Sequence, residues 1–261
     1  MPSIYQFSET EILAFFLVLL RMSAFVVSWP VFGVDNVPSS VKILFAFVLS
    51  LLVFPVIGWE NMPVTTSIES MSIIWLAIKE IFIGLSMGYL ARFFFFAVSI
   101  MGEIVSVSLG LSSAQLFTPS LGGRATASTQ FLLVLATLFF LAVKGHHLFL
   151  AGIVDSFRII PLSDLALSLE SFGKIGVFAQ EIMVMGLKMC SPLMVSILFL
   201  NVMMAVIGRA VPQINVLITS MPVNVMVGLI ILIISLPLVM HQMNDLLELT
   251  ASRLFQMVKS Y

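Results

Sequence analysis

Few residues in this chain could do chemistry, and they stand in places where charge is costly. Arg21 falls in the middle of an apolar stretch. Lys79 and Glu80 lie side by side near the start of another, with Arg92 and Glu103 further along it, and Glu181 and Lys188 interrupt a third. A charge at a membrane centre costs at least about 2.5–3.5 kcal/mol unless a partner or water meets it. Two outlets exist for so many charges: a water-filled path, or burial against other subunits. At about 100° per residue, Arg92 and Glu103 share one helix face, as do Glu181 and Lys188. Members of each pair are about 10 Å or more apart along the axis, so each line of charge is expected to meet another helix.

Catalytic constellations are missing. The histidines are His146, His147 and His241, with no HExxH, no Cys/His ligand set and no G-x-S-x-G elbow. His146 and His147 are adjacent, so on a helix they point about 100° apart and are poorly placed to chelate one ion. No Walker or dinucleotide glycine loop is present, and Cys190 is the single cysteine. The sequence therefore gives no catalytic, cofactor-binding or metal-binding residue. Net charge is −1 with Lys and Arg scattered singly, which offers no surface for nucleic acid.

The elements that carry these charges are membrane segments. Of 261 residues, 60% are hydrophobic and 10% charged, against roughly 25% charged in a soluble domain. Six apolar segments emerge: Ile12–Val34, Val41–Ile57, Ile73–Leu109, Phe131–Val143, Ile175–Ile207 and Val216–Met240. A helix needs about 20 apolar residues to cross a bilayer core. The fourth segment reaches that only if extended from Thr126 to Leu150, and Pro192, Pro222 and Pro237 interrupt the last two. Glu9 and Glu11 precede the first segment without Lys or Arg, unlike the positive start of a secretory signal, so that segment is expected to be retained. Loop cations divide four against five between the two sides, which leaves orientation open. Leu162–Phe172 alternates enough for a short interfacial amphipathic helix, and the aromatic run Phe93–Phe96 reads as packing surface.

Three stretches stand out. Gly84 and Gly88 form a GxxxG, which permits close approach of another helix. Gly102–Gly123 leaves a helix through small residues, passes Gly110, Leu116, Phe117 and Pro119, and ends on Gly122 and Gly123. Non-helical backbone at membrane depth is tolerated only where it is buried in protein or lines a cavity. The stretch is thus either a gate loop, with Leu116 and Phe117 as stoppers, or an ordinary interhelical turn. Gly208–Val216 joins the last two segments and concentrates Arg209, Pro212, Gln213 and Asn215, as a bare turn or as a contact with another subunit.

Gly33–Lys42, Gly102–Gly123 and Gly208–Val216, in this order and spacing, resemble the FliR family of type III export-gate subunits, whose injectisome counterpart is SctT. The resemblance covers essentially the whole chain and looks closer to flagellar than to injectisome members. It implies an all-α membrane protein of about six long, partly broken hydrophobic helices, assembled with partner subunits in a helical export-gate complex. Residues 1–172 would form a FliP-like four-segment part with a pore plug at 110–123, and residues 173–261 a FliQ-like hairpin with a C-terminal tail. Implied partners are FliP-like and FliQ-like subunits in one complex, FlhB-like and FlhA-like components, lipid, and unfolded protein as cargo. The implied place is the flagellar basal body in the bacterial inner membrane, with part of the assembly raised into the periplasm. Subunit contacts are expected at Arg209, Pro212, Gln213, Asn215, Gly84, Gly88 and Glu103, and the buried charges are expected to meet partner subunits. A rival reading is a small secondary transporter with a midplane ion site drawn from Arg21, Lys79, Glu80 or Glu181. It would need two related halves, which the sequence does not display; a membrane-embedded enzyme would need the missing catalytic set.

Overall fold

The computed structural model describes residues 9–30, 37–57, 70–111, 126–162, 170–211, 213 and 215–259. Among these the regular structure is all helical. Helix α1 is Glu9–Ser28, and α2 is Ser39–Val53, continued by a 3-10 turn at Phe54–Val56. Helix α3 is Ser70–Ser108, α4 Ala127–Ala142, α5 Gly145–Ile159, α6 Glu170–Ala210 and α7 Val216–Lys259. Among the described residues five helices are long and apolar enough to cross a membrane, and α4 and α5, broken at Val143–Lys144, reach that length only when taken together. Lys144 takes φ 58 at that interruption. The short fourth apolar segment, Phe131–Val143, ends at that break. Residues 163–169, within the expected interfacial helix, lie outside the described residues, and the rest of it from Glu170 on opens α6.

Three helices are far longer than one span requires, and α7 also runs well past the limit that hydropathy suggests. Helices α3, α6 and α7 have 39, 41 and 44 residues, or roughly 60 Å each at 1.5 Å per residue, about twice a bilayer's hydrocarbon core. The prolines do not end them. Pro192 has no N–H to offer the carbonyl of Lys188 one turn back, and the Ser191 hydroxyl donates to that carbonyl at 2.7 Å instead. Beyond Met240, α7 continues as an amphipathic helix that buries Met243, Leu246, Leu247, Thr250, Leu254 and Val258.

The chain divides into two compact units. One comprises Met1–Phe93, Lys144–Phe178 and Leu249–Tyr261. In it α1 lies directly on α3: a Cβ on Gly84 would strike the backbone carbonyl of Arg21, and one on Gly88 would strike the Ser28 hydroxyl. The close approach permitted by this GxxxG is used inside the chain. Phe15 of α1 packs edge-on against Phe47 and Phe54, and Phe93 against Phe178. The other unit comprises Phe94–Val143 and Ala179–Glu248. There Phe94 and Phe95 of α3 pack on Phe140 of α4, so most of the aromatic run is packing surface, while Phe96 stays exposed.

Gly84→Leu should wedge α1 from α3, since overpacking costs about 1–3 kcal/mol and the obstacle is backbone. Its melting temperature in detergent should fall clearly. Gly176→Ala, with nothing within 4 Å of a new Cβ, should leave it unchanged or slightly raised.

Candidate functional site

The charges that looked unplaceable in the sequence meet inside the first unit. Arg21, Lys79 and Glu80 have no exposed surface. The Arg21 guanidinium donates twice to Glu80, from Nε to Oε2 and from Nη2 to Oε1 at 2.9 Å. Two further donors go to the Ser156 hydroxyl at 3.1 Å and the Ile160 carbonyl at 3.2 Å, and its face lies 4.1 Å from the Phe157 ring centroid. Lys79 donates to the Pro161 carbonyl at 3.0 Å. Arginine's planar fork suits this pairing with a carboxylate. The two cations also reach carbonyls just past the C-terminus of α5, where the helix dipole favours positive charge.

This corrects the expectation that these charges must await partner subunits. The pair joins residues 59 positions apart, on two helices that the Gly84 contact brings together. Arg21 and Glu80 thus pair with each other without exposed surface, and nothing at these two residues favours a midplane ion site. Ser156 was missed; its hydroxyl donates to the Ile153 carbonyl at 2.6 Å, like any helical serine, while accepting from Arg21. Of the other charges, Arg92 lies 5.7 Å from the Tyr89 ring centroid. Glu103 is exposed and accepts from Thr129 of α4 at 2.9 Å, and Lys188 is exposed.

The expected gate loop begins where α3 ends. Gly110 takes φ +77, and its N–H returns to the Val107 carbonyl while that of Leu111 returns to Ser106, each at 3.0 Å. This double closure of the last turn requires a left-handed residue, which glycine supplies without strain. Leu116, Phe117, Pro119, Gly122 and Gly123 lie outside the described residues. The chain resumes at Thr126, whose hydroxyl caps α4 by accepting from the Thr129 N–H at 3.4 Å.

The turn between α6 and α7 is shorter than its motif. Arg209 belongs to the last turn of α6, and Arg209, Gln213 and Asn215 are exposed; Pro212 lies outside the described residues. The flanking helices leave much apolar surface uncovered. Only 17% of the most apolar stretch of each of α2, α6 and α7 is buried, against 56% on α3. Phe199 is 64% exposed and Ile234 73%. Within this surface Asn224 donates to Asn201 at 3.1 Å, tying α7 to α6. Such faces need lipid or other protein.

Helices of this length and apolarity, with their buried charge paired internally, define an integral membrane protein of the all-helical class. The chain belongs to the family of bacterial export proteins, family 1, which matches residues 12–250. It is 32% identical to flagellar biosynthetic protein FliR of Bacillus subtilis (strain 168), over 91% of each chain. It is 31% identical to that of Aquifex aeolicus (strain VF5), and 27% to that of Escherichia coli (strain K12), again over 91% of each chain.

Glu80→Ala leaves Arg21 buried without its carboxylate, and breaking a buried pair on one side costs about 3–5 kcal/mol. The solubilised protein should melt far earlier. Arg21→Met with Glu80→Met should recover most of the loss, because an apolar pair of similar volume leaves no charge unmatched.

Proposed function

We propose that this chain is a structural and gating subunit of the flagellar protein export apparatus in the bacterial inner membrane. The observation that carries the reading is similarity to FliR proteins along nearly the whole length of both partners. The chain makes and breaks no bonds; it builds part of a passage for unfolded protein. It joins FliP-like and FliQ-like subunits in one complex and works with FlhB-like and FlhA-like components. Residues 1–172 are its FliP-like part and 173–261 its FliQ-like hairpin.

The uncovered faces of α6 and α7 support this reading, since partner helices would cover them. Helices about twice as long as a hydrocarbon core is thick support an assembly that stands partly above the membrane plane. Arg209, Pro212, Gln213 and Asn215 form a subunit contact at the hairpin turn. The segment 110–123 closes the passage at rest, with Leu116 and Phe117 excluding water as apolar side chains do in a constriction.

Coexpression with FliP- and FliQ-like proteins should yield one large stable complex; a chain that purifies alone and ignores them would overturn the reading. In that complex Arg209→Ala and Gln213→Ala should lower assembly or export without affecting membrane insertion. Wild-type motility and wild-type complex yield in both variants would make the turn a bare connection.

Deleting Ser112–Leu121 should leave the complex intact and raise inner-membrane permeability to ions or small solutes. A tight membrane with collapsed complex yield would make the segment structural instead.

A further inference from the structure

Within the second unit, the end of α3 is held by a notch in the C-terminal hairpin. Leu109, the last residue before Gly110, has no exposed surface. A Cβ placed on Gly228 of α7 would collide with Leu109 Cδ2, and it would lie 3.3 Å from Ile197 Cδ1 of α6 and 3.4 Å from Leu109 Cγ. Leu109 is therefore a knob whose hole has Gly228 as its floor and Ile197, itself buried, as a wall. One residue later the backbone turns left-handed at Gly110, and Leu111 closes back on Ser106.

We infer that Gly228 and Leu109 form a positioning latch, which fixes on the α6–α7 hairpin the point and direction at which the chain leaves α3. The two constraints act together. The left-handed glycine alone sets the local turn but does not seat the last residue before it on the hairpin. The knob alone holds the helix but does not aim the next residues. Together they tie the exit of α3 to the same two helices whose outer faces are uncovered. A partner that repositions α6 against α7 would change the hole and so the exit. This rests on the reading of 110–123 as the closure; Gly228 acts through Leu109 and touches no cargo.

The test uses the full chain coexpressed with its FliP- and FliQ-like partners, measuring complex yield and inner-membrane permeability in each strain. Gly228→Ala fills the floor of the hole and should raise permeability toward that of the Ser112–Leu121 deletion while the complex still assembles. Adding Leu109→Ala to Gly228→Ala makes room for the new methyl and should lower the leak again, a rescue that general destabilisation would not give. If Gly228→Ala reduces complex yield, Leu109→Ala alone decides: it empties the hole without a clash and should also leak. Assembled Gly228→Ala and Leu109→Ala complexes that stay tight, beside a leaking deletion, would overturn the latch and leave the closure standing. A deletion strain that stays tight would overturn the closure, and the latch with it.

Discussion

An arginine with no exposed surface must have its charge and its five donors met by protein, because apolar surroundings offer neither water nor counterion. Four of Arg21's five donors go to a carboxylate on α3 and to a hydroxyl and a carbonyl from the α5 region, and its face lies on the Phe157 ring. No single helix could supply that set. The requirement therefore fixes α1 against α3 at one register and brings in the end of α5. The Gly84 contact makes the register sterically possible, since only a residue without Cβ lets the Arg21 carbonyl come so close. A pair of this kind adds little net stability over well-packed apolar residues. What it does contribute is intolerance of alternatives: sliding α1 by one turn would strand a guanidinium and a carboxylate together.

The second unit is organised differently. Polar contacts between its helices include Thr129 to Glu103 and an amide pair between Asn201 and Asn224. It also packs by shape, with Phe140 against Phe94 and Phe95 and Leu109 in the Gly228 notch. Dispersion contacts of this sort are individually small and depend on close fit. An element held by shape repacks at lower cost than one held by a buried ion pair.

The apolar spans and the exit from α3 through small residues at Gly110 were legible in the sequence, because each is encoded by neighbouring residues. So was the family, through motifs spread along the chain. The Arg21–Glu80 pair was not. Periodicity places charges on the faces of one helix but is silent on which helices meet, and the partners stand 59 residues apart. The end of α7 was missed for a different reason. Hydropathy falls after Met240, yet burial of Met243, Leu246, Leu247, Thr250, Leu254 and Val258 follows a helical stripe. That spacing is visible in the residues and would have extended the helix. Gly228 carries no signal beyond being one glycine in an apolar run; its role exists only because Leu109 is opposite.

The distribution of uncovered surface follows from the same division of labour. Helix α3 crosses from one unit to the other and has over half of its most apolar stretch buried within the chain, while α2, α6 and α7 keep most of theirs open. Internal contacts are thus concentrated on the helix that carries Glu80 at one end and Leu109 at the other. Whatever covers α6 and α7 from outside presses on the helices that form the hole for Leu109. The uncovered apolar surface and the hole that receives Leu109 thus belong to the same two helices.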